Sequence, residues 1–369
     1  MKILHIINSL ATGGAEKLIV ETLPLYREKG IEADVLLLNG TEYPLYKELQ
    51  EKNCCRIYSL GKTSVYNPKL IGKIIPYLKQ YDLIHVHLFP AQYFAIAAKR
   101  LSFSKKPFVF TEHSTSNRRF SSKKFKLADK IIYNSYSRII CITDKVKDAV
   151  LKHTGLKKEK LTVIENGINL QKIDSAPPFS RADLNLNLNL NLNLSDKDIL
   201  LMQVSSFQEP KDQPTLIKAL QYLPSEVKLL LVGDGVLREE CEALVNQLNL
   251  QNRVFFLGLR SDVPSLLKSA DAVVLSSKYE GLSLSSIEGM ASGKPFIASD
   301  VPGLSEVVDG AGILFPQGDD QQLANEIRRL MTDKEHYRII SEKGLVRAAR
   351  YDINIMVDQH IQLYEMLIT

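Results

Sequence analysis

Cysteine is scarce in this 369-residue chain: four residues, at 54, 55, 141 and 241, with no C-x-x-C and no metal-ligand spacing among them. That excludes a cysteine-built zinc site and a disulfide-stapled scaffold. The adjacent pair 54–55 makes a poor disulfide, so reduced thiols are the expectation. Long apolar runs are missing too. None approaches the ~18 residues of a membrane span. The opening MKILHIINSL is interrupted by His5 and Asn8, so its apolar run is too short for a signal peptide and reads as a first strand. The expected location is therefore cytoplasmic, either free or peripheral on the inner face of the membrane.

What is present is ordinary in amount and uneven in place. Apolar content of 45% and charged content of 24% suit a soluble globular protein, and the length suits two domains. Net charge is +5, but residues 99–130 hold ten Lys/Arg against Glu112 and Asp129, leaving 37 basic and 40 acidic residues elsewhere. Lys105, Lys106, Arg118, Arg119, Lys123, Lys124 and Lys126 belong to this run. It predicts an anionic partner, either lipid headgroups or a phosphorylated acceptor, or else no more than a solvated basic face. No nucleic-acid partner is expected.

Short apolar runs alternate with helical stretches, which predicts βαβ units and parallel sheets. Strands are expected at Ile3–Ile7, Ala33–Leu38, Arg56–Leu60, Leu83–His87, Phe108–Thr111, Arg138–Ile142 and Leu161–Ile164, and again from Ile199–Val204 onward. Helices are expected at 319–331, 334–347 and about 353–368. Ligands of doubly wound sheets bind beyond the carboxyl ends of strands, so the residues just after each run carry the interest. Gly13-Gly14 after the first strand lets a backbone approach an anion, and equally suits a tight βα turn. His85 and His87 share one strand face. With no third ligand nearby in the sequence, no metal is expected there.

The stretch Lys278–Pro295, KYEGLSLSSIEGMASGKP, holds the densest signal. The run Ala272–Leu275 reads as a buried strand. Ser283 is a good N-cap for a helix that Gly293 stops. This places Glu280 on a loop, open amides at Leu282–Ser285, and Glu288 one turn inside the helix. Open amides and the helix dipole form an anion site, and carboxylates accept hydrogen bonds from sugar hydroxyls. A phosphate between two such carboxylates has the shape of a sugar nucleotide.

The pattern E-G-L-x-L-x-x-x-E, followed by G-M-A-S-G-K-P and Ser299-Asp300-Val301-Pro302-Gly303-Leu304-Ser305-Glu306, resembles the family-4 retaining glycosyltransferases of the GT-B fold (glycosyl transferases group 1). The resemblance implies an α/β protein of two Rossmann-like, doubly wound parallel-sheet domains facing a cleft. Residues 1–168, with the helix 353–369 packing back, would form the acceptor domain, and 169–352 the nucleotide-sugar donor domain. It implies transfer of a hexose-type sugar from a UDP- or GDP-sugar to an acceptor hydroxyl, with no cofactor and no metal. Surface polysaccharide or lipid-linked oligosaccharide synthesis is the implied setting, with a glycan or lipid-linked acceptor. His113, Lys211 and Glu280 take the catalytic positions. Gly14, Ser206, Lys211, Glu280, Gly281, Leu282, Ser283, Leu284 and Glu288 take the donor-binding ones.

Ser206 departs from the family pattern, which often has arginine there, and Asn169 stands where aspartate is usual. An arginine from the 118–119 loop is a conceivable replacement cation. A catalytically weak scaffold, or an epimerase on the same fold, are the alternatives. The repeat LNLNLNLNLNL at 184–194 is read as a surface connector without chemistry, and Asp196-Lys197-Asp198 as surface charge rather than a metal site.

Overall fold

In this computed structural model, residues 1–11, 13–114, 119–120, 122–187 and 193–369 are described, with the backbone alone for Lys123, Lys124 and Asn187. The chain forms two compact units, Met1–Gly167 with Ile353–Thr369, and Ile168–Asp352.

In the first unit, β1 (Lys2–Ile7), β2 (Glu32–Leu37), β3 (Ile57–Ser59), β4 (Leu83–His87), β5 (Phe108–Glu112), β6 (Arg138–Cys141) and β7 (Leu161–Val163) form one parallel sheet in the order β3-β2-β1-β4-β5-β6-β7. Register is set by pairs such as Ile3 with Ala33 on one side and Leu83 on the other. The apolar runs are buried almost continuously, as parallel strands covered on both faces require. The helix Ile353–Ile368 belongs to this unit although it follows the second in sequence, and its Met356, Val357, Leu363 and Tyr364 sit in the same core as Ile3, Leu23 and Tyr26.

The second unit carries β8 (Ile199–Val204), β9 (Val227–Val232), β10 (Val254–Gly258), β11 (Ala272–Leu275), β12 (Phe296–Ser299) and β13 (Ile313–Phe315), parallel in the order β10-β9-β8-β11-β12-β13. Strand order reverses between β1 and β4 in one sheet and between β8 and β11 in the other. These are the switch points at which crossovers diverge to either face and leave a crevice.

Two expectations about the connector are corrected. The Leu-Asn repeat begins inside the helix Arg181–Asn187, and Leu184 and Leu194 are 1% and 7% exposed, both within the second unit's core. Asn185 ties the two ends together: Nδ2 donates to the Leu194 carbonyl at 2.9 Å, and Leu194 N–H donates to Oδ1 at 2.9 Å. Residues 188–192 of the repeat lie outside the described residues. Asp198 is buried and accepts from Ser195 N–H at 2.7 Å, so it closes a turn and is not surface charge. Among the described residues no helix is long and apolar enough to cross a membrane.

Candidate active site

The loop after β8 is held from beneath by a buried polar cluster. Gln203 and Gln213, each 1% exposed, both donate to Ser205 Oγ, at 3.0 and 3.1 Å. The other donations of the two amides reach the Lys211 and Ser206 carbonyls, at 3.1 and 2.9 Å. Ser276, at the end of β11, donates to the Asp212 carbonyl at 2.8 Å. Asp212 itself is left-handed, with φ 43°, which turns the chain from the short turn Glu209–Lys211 into the helix Gln213–Ala219. Sequence reasoning missed these three side chains. For Gln203 and Ser276 the signal was a polar residue at the end of an otherwise apolar strand; Gln213, which opens the helix Gln213–Ala219, carried none.

This scaffold aims Lys211 across the β8/β11 switch point at the next loop. Lys211 Nζ lies 2.5 Å from Glu280 Oε1, and Ser277 Oγ donates to the same oxygen at 2.8 Å. The loops are also joined by Lys278 N–H donating to the Pro210 carbonyl at 2.8 Å, and by the pair Lys278–Glu209 at 2.5 Å. The structure therefore brings together Lys211 and Glu280, which lie 69 positions apart.

Behind Glu280, the backbone of Gly303 comes so close that an added Cβ would lie 2.2 Å from the Glu280 carbonyl oxygen. Gly303 also has φ +90°, so both space and conformation demand glycine. Gly233 plays a similar part against the Ser205 carbonyl, at 2.0 Å and φ +135°. Ser206 is half-buried beside that contact.

The helix Leu284–Ala291 starts where the sequence indicates. Ser283 is its N-cap and accepts from Ser286 N–H at 3.3 Å. The first-turn amides of Leu284 and Ser285 have no intrahelical acceptor, as at any helix start. Gly281 and Leu282 lead into this end, and Glu288 lies half-buried one turn inside. The result is a cation, a carboxylate and an amide-lined helix end at the carboxyl edge of one sheet. It can hold an anion and the hydroxyls beside it.

In the first unit, Gly14 opens the helix Gly14–Glu28 after β1, with open space where its side chain would be. At Gly13 an added Cβ would meet Glu16 Oε2 at 2.3 Å, so the acid of that turn folds back over the glycine. His113 follows β5. Its Nε2 is buried without a hydrogen-bond partner, and burial lowers its pKa to about 4. It is therefore a neutral imidazole at pH 7, rather than one poised near neutrality.

The absence of a third histidine near His85 and His87 is also corrected, because β1 supplies His5 beside them. Their nitrogens lie within 4.8 Å of one another. Four of the six ring nitrogens are engaged, while His5 Nε2 and His87 Nδ1 are buried without a hydrogen-bond partner. His5 Nδ1 and His87 Nε2 lie 3.1 Å apart, and His85 bonds Tyr364 OH at 2.6 Å and Thr111 Oγ1 at 2.7 Å. A metal ion would have to displace some of these bonds.

The basic run divides. Lys105 and Lys126 are exposed and Lys106 is half-buried. Arg118 lies outside the described residues, and Lys123 and Lys124 are described by backbone alone in the helix Lys123–Asn134. Arg119 does not belong to any surface patch. It is 8% exposed, pairs with Asp129 at 2.9 Å, and donates to Gln92 Oε1 at 2.9 Å. Its guanidinium is committed inside the first unit and does not stand in for the arginine missing at 206.

Residues 12–172 match the family model described as Glycosyltransferase Family 4, and residues 189–347 the model described as Glycosyl transferases group 1. The chain is 27% identical, over 99% of its length and 98% of the relative's, to a lipopolysaccharide core biosynthesis glycosyltransferase of Rhizobium meliloti. It is 28% identical, over 76% of its length and 73% of the relative's, to an Escherichia coli enzyme named as a UDP-Gal:alpha-D-GlcNAc-diphosphoundecaprenol alpha-1,3-galactosyltransferase. Among solved structures, it aligns over all of both chains with Anabaena HepE in complex with UDP and glucose, at TM-score 0.84 and 25% identity.

Proposed function

Because the chain belongs to the group-1, family-4 glycosyltransferases, we propose that it transfers a hexose-type sugar, with retention at the anomeric carbon, from a UDP- or GDP-sugar to an acceptor hydroxyl. The observation that carries this reading is the Lys211–Glu280 pair at the β8/β11 switch point, beside the start of the helix Leu284–Ala291. In transfer, the bond from the anomeric carbon to the nucleoside diphosphate breaks while the acceptor oxygen bonds that carbon from the same face. Negative charge grows on the departing diphosphate, and fixed dipoles and a nearby cation stabilise it. Lys211 would turn from Glu280 to the diphosphate, the Leu282–Ser285 end would bind the phosphates, Glu280 the sugar hydroxyls and Glu288 the ribose. Gly14 would offer its amide, and neutral His113 a hydrogen bond to the sugar or phosphate. With Lys211 as the cation, no resident metal is required.

The second unit is thus assigned to the donor and the first to the acceptor. Relatives named for diphosphoundecaprenol acceptors, together with the exposed lysines of the first unit, support a lipid-linked acceptor at the inner face of the membrane. The test is a screen of UDP- and GDP-sugars for transfer or slow hydrolysis, run in the presence of a chelator. Lys211→Ala should lower turnover by about 10²-fold or more while leaving the fold intact. Near-normal turnover in that variant would remove Lys211 from the reaction. Ser206 in place of arginine favours one other reading, a catalytically weak scaffold, and a screen with no turnover for any donor would support it.

A further inference from the structure

The helix Ala91–Leu101 ends in a paired-carbonyl cap: Phe103 N–H donates to the Arg100 carbonyl at 3.2 Å, and Ser104 N–H to the Lys99 carbonyl at 3.1 Å. The position after such a cap is left-handed and is usually glycine. Here it is Phe103, with φ 52°, and its side chain is 89% exposed. A phenylalanine in this conformation carries backbone strain that burial in the fold does not offset. Leu101, two residues earlier, is 64% exposed.

Immediately beside this tip is a groove of about 460 Å³, lined by Ser102 and Ser104 themselves. Its apolar wall is Leu78, Pro107 and Ile368, and its rim carries Lys79, Lys105 and Lys106. The one acid in the lining, Asp82, already accepts from Lys2 N–H at 2.8 Å. Met366, on the same closing helix as Ile368, is 69% exposed. The surface therefore combines protruding apolar side chains, an apolar slot, and three lysines with one committed carboxylate.

We propose that this turn is a membrane-docking wedge: Phe103 and Leu101 enter the interfacial layer of an anionic bilayer, and Lys79, Lys105 and Lys106 engage lipid phosphates at the mouth of the groove. An aromatic side chain suits the headgroup level, lysine stems can reach to phosphate, and positive charge selects an anionic surface. The proposal takes only its membrane setting from the functional reading above. The groove lies at the amino ends of β4 and β5, just before Leu83 and Phe108, whereas Gly14 and His113 follow the carboxyl ends of β1 and β5. The wedge is therefore an attachment point separate from the acceptor side. It does not use the donor site.

The chain contains no tryptophan, so Phe103→Trp places a single fluorophore at the tip. With phosphatidylglycerol vesicles, its emission should shift to the blue and be quenched by brominated acyl chains. High salt should reverse both effects, since screening shortens the reach of the lysines. Val346→Trp, at a position 67% exposed in the second unit, should not respond. In flotation with the otherwise unaltered chain, Phe103→Asp should weaken binding by about tenfold or more, and Lys105→Glu with Lys106→Glu by about fivefold per charge removed. No blue shift with anionic vesicles, or an equal shift with phosphatidylcholine, overturns the proposal. A shift produced by glycerol phosphate alone replaces it with a free phosphate site, and one that grows with protein concentration alone replaces it with self-association. Sugar transfer to a soluble acceptor is assayed separately. Loss of vesicle binding with transfer intact fails this inference alone, and binding without transfer fails the functional reading alone.

Discussion

Glu288 and Glu280 are the same residue type in one short stretch, yet their surroundings divide their work. Glu280 shares an oxygen between Lys211 and Ser277, whereas Glu288 is a turn inside the helix whose first amides form the proposed phosphate site. Glu288→Gln should therefore weaken the free nucleoside diphosphate, read by calorimetric titration, and affect bond breaking less. An unchanged affinity would remove the ribose role. Both acids and Lys211 were legible in the sequence as types at meaningful positions. The Lys211–Glu280 contact was not, because only strand order brings together residues 69 apart. Arg119 shows the reverse error. A run of basic residues counts charges but does not reveal which one turns inward, and the fully buried Asp129 ten residues later draws this one in.

At the level of elements, the apolar runs announced all seven strands of the first unit, and β8 and β11 of the second, because buried parallel strands need little polarity, whereas the three-residue β13 (Ile313–Phe315) was missed. The loops between them were less legible, since their conformation depends on what presses against them. Gly303→Ala tests one such contact. Its Cβ would meet the Glu280 carbonyl, so the Glu280–Gly281 loop must move. Turnover should fall and stability should drop by about 1–3 kcal/mol, measured by urea unfolding beside the activity assay. Unaltered values in both would show that the loop has room. The Leu-Asn repeat is the complementary case. Its alternation suggests a strand, but the helix Arg181–Asn187 and the two core leucines use its ends differently. Removing residues 188–191 keeps Leu184 and Leu194 in the core and the Asn185–Leu194 hydrogen bonds that join them. Such a chain should keep its melting temperature within a few degrees, whereas Asn185→Leu should lower it by releasing the Leu194 backbone.

Across the molecule, titratable burial is lopsided. Five of the seven histidines, at 5, 85, 87, 113 and 360, have pKa values pushed down, first of all by burial, and all five lie in the first unit. His5 and His360 fall to about 3 from 6.5. In that window the unfolded chain binds the protons that the folded unit refuses. Stability is therefore full above pH 6.5 and is lost as pH falls toward 3, by up to about 1.4 kcal/mol per pH unit for each such histidine. Hydrogen exchange at pH 5 and pH 7, corrected for the intrinsic rate, should show the first unit loosening well before the second. Equal loosening of both would refute the assignment.

The helix Ile353–Ile368 joins that same network, through Tyr26 OH to His360 Nδ1 at 2.8 Å and His85 Nδ1 to Tyr364 OH at 2.6 Å. On the ribosome this imposes an order of assembly. The first unit's strands emerge early but lack their covering helix until Ile168–Asp352 has been synthesised, roughly ten to forty seconds at ~5–20 residues per second. Throughout that interval the nascent first unit exposes His85 and Tyr26 where Tyr364 and His360 will sit. The second unit needs nothing later than itself, so the half that begins first is the half that finishes last.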